Sequence, residues 1–207
     1  HHPDHTGGIA ALCAARNLAV RGHPLTLSRL PEGCRLGEPL NDGDRLHLGR
    51  APDGSPDWQL EVVHTPGHDR GHLCFFESRY GATIVGDMLS TVSTIIVDPP
   101  EGHLATYLRS LERLLQTPLQ TLCPAHGPAI RDGSKLVKQY QRHRRQRETT
   151  LLTTLQQGGG TAAELLPKVY WDADPRLLPF AARSLQAGLE KLEEEGRARR
   201  DGDRWSI

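Results

Sequence analysis

The chain has 207 residues, 25 basic and 25 acidic side chains, a formal net charge of zero and 37% hydrophobic residues. This supply supports a buried core and excludes disorder throughout, and the balanced charge excludes a polybasic nucleic-acid binder. No apolar run approaches a membrane span, and Cys13, Cys34, Cys74 and Cys123 form no CxxC pair, which argues against a disulfide framework or a cysteine-built zinc site.

Residue 1 is His, and His2-Pro3-Asp4-His5 follows, with two imidazoles and a carboxylate within four residues. On a tight loop this run presents nitrogen and oxygen ligands to a metal; alone, it reads equally as a polar surface turn or a tag remnant. Gly8–Asn17 is expected to be a helix. Ala51–Asp57 is a turn by composition. Gln59–His64 and His72–Glu77 are rich in strand formers. Between them, His64-Thr65-Pro66-Gly67-His68 turns sharply and sets His68 at a strand end; His64 and His72 suit supporting or turn roles. Ala82–Val85 is an apolar strand ending at Gly86-Asp87. Leu104–Leu115 has apolar residues at 104, 107, 108, 111, 114 and 115, a helical period. Leu119–Cys123 is a short strand before Pro124-Ala125-His126-Gly127-Pro128. Each His or Asp element has an ordinary explanation as a cap or turn. Four in succession, each after a strand-like segment or at the chain start, point to one site.

The second part changes character. Lys135–Gln156 is a long helical pattern, broken by Gly158-Gly159-Gly160. Thr161 with Glu164 forms a capping box for a helix through Val169. Leu177–Glu195 is a further helix with Leu185, Leu189 and Leu192 on one face, and Asp201-Gly202 is a hairpin turn. This is the pattern of a small winged-helix-type module. Charge divides accordingly: net −4 over residues 1–130, +5 over 131–148 and −1 over 149–207. The domains expected are a hydrolase domain at 1–134, a basic connecting helix at 135–148 and the module at 149–207. Glu193-Glu194-Glu195 disfavours a DNA-reading helix, so a lid, docking or dimerisation role is expected for the module.

The succession His2-Pro3-Asp4-His5-Thr6-Gly7-Gly8, His64-Thr65-Pro66-Gly67-His68, Gly86-Asp87 and Pro124-Ala125-His126-Gly127 resembles the metallo-β-lactamase superfamily. That family's first motif reads HxHxDH; its first His falls one position before residue 1, so an N-terminally truncated chain is expected. The resemblance implies an α+β fold, the four-layer αββα sandwich with its N-terminal part missing. It also implies a dimetal centre, with His2 and His68 on one ion, Asp4, His5 and His126 on the other, and Asp87 bridging. Asp4 and Asp87 are the expected catalytic residues. The cofactor implied is two Zn²⁺ ions supplying a bridging hydroxide and a Lewis acid. Without the first His, the His2/His68 ion is expected to bind weakly or the chain to be inactive.

Ser90–Glu101, His143–Glu148 and the helical tail further resemble the beta-lactamase-like protein 2 group. That group includes an endoribonuclease acting on single-stranded RNA and proteins acting on acyl-carrier thioesters. His143, Arg144 and Arg147 on the basic helix are the candidate substrate-binding residues, since Arg forks bind phosphate oxygens; the alternative is a solvated helix face. The reading leans to a phosphate-bearing substrate, RNA among them. The alternatives are a thioester hydrolase and a non-catalytic scaffold. The partners expected are that substrate and a second copy of the chain, with no membrane. The compartment expected is the cytoplasm.

Overall fold

A computed structural model describes residues 1–207. Six strands form the first sheet: β1 (Arg45–Gly49), β2 (Trp58–His64), β3 (Leu73–Glu77), β4 (Ala82–Ser90), β5 (Thr121–His126) and β6 (Ile130–Arg131). They lie in sequence order. Every neighbouring pair is antiparallel except β4 and β5, which run parallel. The parallel pair requires a crossover, supplied by helix α4 (Leu104–Leu114). Helices α1 (Pro3–Thr6), α2 (Ile9–Arg16) and α3 (Pro24–Leu27) precede the sheet.

The pleat decides which face is covered. In β4, Thr83 and Val85 are fully buried, while Ile84 between them is 46% exposed. Val63, Cys74, Val85 and Leu122 join Tyr107, Leu111 and Leu114 of α4 in one core. Helix α5 (Gly133–Gln156) adds Val137 and Tyr140 to the same core. The outward face of Ile84 carries no helix layer. The chain therefore forms a β layer and an α layer of the expected sandwich.

Two expected strand boundaries are corrected. β4 does not stop at Val85 but continues through Gly86-Asp87 to Ser90, and β5 continues to His126. The parallel ladder carries both past their apolar runs, pairing Gly86 with Pro124 and Ser90 with His126 across irregular register. β1 and the short helices α1 and α3 add elements the composition did not signal.

Helix α5 runs unbroken from Gly133 to Gln156 and enters a second core. Its Leu151 and Leu155 pack with Leu165 and Val169 of α6 (Ala162–Val169) and Leu185, Leu189 and Leu192 of α7 (Leu178–Glu194). Trp205 closes this core from a three-stranded sheet of β7 (Gly160–Thr161), β8 (Arg199–Asp201) and β9 (Arg204–Ser206), ordered β7-β9-β8. The Thr161/Glu164 capping box forms as expected, with the Thr161 N–H donating to Glu164 Oε2 at 2.8 Å. Asp201-Gly202 makes the β8–β9 turn, with Gly202 at φ 60°. No helix is long and apolar enough to cross a membrane.

Candidate metal centre

Four segments converge at one end of the first sheet. Helix α1 starts on Pro3, whose fixed φ suits a first helical position; this short turn presents His2, Asp4 and His5. The β2–β3 loop supplies His68, β4 supplies Asp87, and β5 ends on His126. Their ligand atoms form two triads, His2/His68/Asp87 and Asp4/His5/His126, each within 4.8 Å. Asp87 links them. Its Oδ2 lies 2.9 Å from His5 Nε2 and 3.4 Å from His68 Nε2, and its Oδ1 lies 3.2 Å from His126 Nε2. His68 Nε2 stands 3.2 Å from His2 Nδ1, and Asp4 Oδ2 is 3.5 Å from both His5 Nε2 and His126 Nε2.

The arrangement is held from behind. Gly67 sits at φ 134°, and a Cβ there would meet the Tyr107 backbone at 2.3 Å, so the turn closes directly on α4. The turn aims His68 inward, and its Nδ1–H donates to the Ile96 carbonyl at 2.7 Å, so that in the neutral imidazole the Nε2 lone pair is the one a metal would take. His72 lies beneath β4. Its Nε2 accepts from the Asp87 N–H at 3.1 Å, so its Nδ1 carries the proton and donates to Thr65 Oγ1 at 2.9 Å. Gly86 makes this approach possible: a Cβ there would stand 2.7 Å from His72 Nε2.

Charge follows geometry. Burial pushes the Asp87 carboxyl upward, but the His68, His5 and His126 imidazoles overcome it and hold the carboxyl well below its usual range. Burial pulls the His68 imidazole down, but its bonds to Asp87 and the Ile96 carbonyl leave it raised overall. Burial, with His68 as a cationic neighbour, pulls His2 down. Burial pulls His72 down to about 4, which keeps it neutral at physiological pH.

The residues fit a metal centre. Asp87 Oδ1 is buried and, although His126 Nε2 stands 3.2 Å away, it accepts no hydrogen bond, a lone pair that a cation would satisfy. The donor set is imidazole nitrogen and carboxylate oxygen without thiolate, which suits Zn²⁺, Fe or Mn.

The structure brings together His2, Asp4, His5, His68, Asp87 and His126. It does not bring His143, Arg144 and Arg147 to them. Arg144 donates to the Ile95 carbonyl and lies over the Tyr107 ring at 5.4 Å. Arg147 donates to the Val169 carbonyl at 2.9 Å and pairs with Asp172 at 2.7 Å. His143 is half-buried on the same helix, pulled down by burial and by these two guanidiniums. The expected substrate-binding residues thus lie outside the cleft over the ligands, and one nitrogen of each guanidinium is held by a protein carbonyl. Arg144 instead fixes the loop after β4, as does Tyr140, whose hydroxyl donates to the Ser93 carbonyl at 2.7 Å.

That loop walls a cleft of about 400 Å³ over the metal ligands, lined also by Ser93, Thr94, Ile95, Ile96, Asp98, Glu101 and Arg183. The sequence reading missed Arg183, which comes from α7 in the second core. Its Nη1 donates to Asp98 Oδ2 at 3.0 Å. Helical phase relative to the second core was the one available signal, since Arg183 lies off the Leu185/Leu189/Leu192 face.

Comparison with known proteins agrees with this geometry. The profile described as "Metallo-beta-lactamase superfamily" matches residues 1–126. The chain belongs to the metallo-beta-lactamase superfamily. A second profile, "Beta-lactamase associated winged helix domain", matches residues 161–205. The beta-lactamase-like protein 2 homolog of Drosophila melanogaster is 27% identical over 96% of this chain and 68% of its own length. An atrochrysone carboxyl ACP thioesterase of Aspergillus novofumigatus is 27% identical over 94% of this chain and 60% of its own. The crystal structure of a metallo-beta-lactamase family protein from Thermus thermophilus superposes with a TM-score of 0.69 at 26% identity, covering 97% of this chain and 64% of that one. The chain thus spans about two thirds of the length of these metallo-beta-lactamase superfamily relatives.

Proposed function

We propose that this chain carries the metal-dependent hydrolytic site of an acyl thioesterase. The observation that carries the reading is the lining of the cleft: one arginine and no Phe, Tyr or Trp. Single-stranded RNA is held by a cationic groove with aromatic stacking platforms, and neither is present. The exposed cations Lys135, Lys138, Arg142 and Arg145 lie on α5 outside the cleft. A thioester carbonyl is small and neutral and needs neither feature. The similarity to an ACP thioesterase supports the same choice.

His2, His68 and Asp87 would hold one ion and Asp4, His5 and His126 a second, with Asp87 shared. When bound, the metal supplies a Lewis acid for the substrate carbonyl oxygen and lowers the pKa of a water. The protein's own part is preorganisation. The Ile96 carbonyl keeps the His68 proton on Nδ1, and His72 fixes the backbone of Asp87 from behind. The low pKa of Asp87 keeps its carboxylate ionised, so its oxygens stay available as acceptors. Ser93 and Thr94 line the same cleft, the Ser93 hydroxyl bonded to that of Ser90 at 3.1 Å.

The test is a side-by-side assay of the chain reconstituted with Zn²⁺, against an acyl thioester and against single-stranded RNA. Thiol release without RNA cleavage is expected. RNA cleavage without thiol release overturns the reading.

A further inference from the structure

We infer that Arg183 is the residue that recognises an anionic group, a carboxylate or a phosphate, on the substrate's part remote from the scissile carbonyl. The winged-helix module thereby contributes a binding residue to the hydrolase cleft. The inference rests on the thioesterase reading for the substrate and on geometry for the residue.

Arg183 is the only Lys or Arg lining the cleft. Its side chain is 57% exposed, and one guanidinium nitrogen, Nη1, is engaged, by Asp98. The remaining N–H groups have no protein partner, and a guanidinium fork is built for two-oxygen anions. Of the carboxylates lining the cleft, Glu101 pairs with Arg29 at 2.5 Å, Asp98 holds Arg183 itself, and Asp4 and Asp87 stand among the candidate metal ligands. The Arg183 backbone is fixed on both sides. Ala187, one turn on, packs in the first core, while Leu185 and Leu189 pack in the second. Glu194 on the same helix meets His103 Nε2 at 2.8 Å across the two units. Fixed backbone with free donors is the preorganisation that a recognition residue needs. Arg147, which docks the module, differs: its side chain is 21% exposed, its Nη1 is shared between the Val169 carbonyl and Asp172, and its guanidinium lies over the Tyr170 ring at 4.8 Å.

The probes are non-hydrolysable thioether analogues of an acyl thioester, one ending in a carboxylate, one in a phosphate and one in a neutral methyl ester. Binding to the full Zn²⁺-loaded chain is measured by calorimetry, and turnover of the matching thioesters is measured beside it. Arg183→Gln is expected to weaken both anionic probes about tenfold, to raise KM rather than lower kcat for their thioesters, and to leave the neutral probe unchanged. Preference for one anion in the unmutated chain identifies the source. Asp98→Asn frees the fork and is expected to tighten the anionic probes; a loss matching that of Arg183→Gln would instead assign the arginine to holding the loop and overturn the inference. Equal weakening of all three probes, no weakening, or no binding of the anionic probes to the unmutated chain also overturns it. Anion-selective binding without thioester turnover keeps Arg183 in its role and sinks the thioesterase reading alone. Glu194→Gln, which loosens the contact between the units without touching the cleft, is expected to leave binding unchanged.

Discussion

Asp87 and Lys191 are both buried charged residues, and their surroundings differ in kind. Around Asp87 the partners are imidazoles at 2.9–3.4 Å, and one carboxylate oxygen has no hydrogen bond at all. Around Lys191 the partners are carboxylates, Glu148 at 2.7 Å and Glu195 at 2.8 Å, with Arg197 closing the set on Glu148 at 2.6 Å. The first region gathers polar groups and leaves their lone pairs unspent; the second cancels its charges within itself. Stability and chemistry are thus separated: the second region satisfies its own charges, and the first offers donor atoms that a cation could take.

Four changes break or sharpen that contrast. The largest effect is expected from Gly67→Ala, because the new Cβ would run into the Tyr107 backbone. A loss of about 3 kcal/mol or more is expected in urea unfolding, with the metal centre lost too; wild-type stability would show that the turn tolerates a side chain. Leu189→Ala, at a fully buried position of the second core, should cost about 2–5 kcal/mol. Hydrogen exchange should show α6 and α7 losing protection while the first unit still binds Zn²⁺. Simultaneous loss in both units would deny their separate cores. His72→Ala removes the support behind Asp87 and should weaken Zn²⁺ affinity about 10- to 100-fold in chelator competition. An unchanged affinity would make His72 a packing residue only.

The smallest effect is the pH response of the second unit. Burial raises the Glu195 carboxyl, but Lys191 and Arg197 pull it below the ordinary 4.5. Its stabilisation is therefore present above pH 4.5 and lost as pH falls through the lowered folded value. Burial lowers Lys191, but Glu148 and Glu195 raise it above 10.5, so its share is present below pH 10.5 and lost above the raised value. A plateau in melting temperature between these limits is expected, with a decline at each end. Partly exposed pairs of this kind contribute less than about 1 kcal/mol each, and Lys191→Met should flatten both declines.

The site was more legible in the sequence than its surroundings were. His2, Asp4, His5, His68, Asp87 and His126 announce themselves because ligand chemistry restricts residue type and the Pro and Gly beside them restrict the turn. The period of α4, the Thr161/Glu164 box and the Asp201-Gly202 turn were legible for the same reason: each is a local physical rule. Distant partners were not. Arg144 and Arg147 look like phosphate ligands until folding sets them outside the cleft, one nitrogen of each held by the carbonyls of Ile95 and Val169, 49 and 22 residues away. Arg183 looks like a solvated helix charge until folding carries α7 to the cleft. Gly86 reads as the end of a strand, and only the parallel ladder with β5 shows that it continues.

The unbroken course of α5 through both cores has a mechanical consequence. Its first half sets the cleft wall through Tyr140 and Arg144, and its second half carries the unit that holds Arg183, so one rod fixes both walls. An α-helix turns about 100° and rises about 1.5 Å per residue. A single residue inserted in α5 between Arg144 and Leu151 would swing the second unit by that angle, take Arg183 out of the cleft and withdraw Ala187 from the first core. The linkage between the two units therefore has a phase as well as a length, and an insertion that preserved every side-chain contact within each unit would still uncouple them.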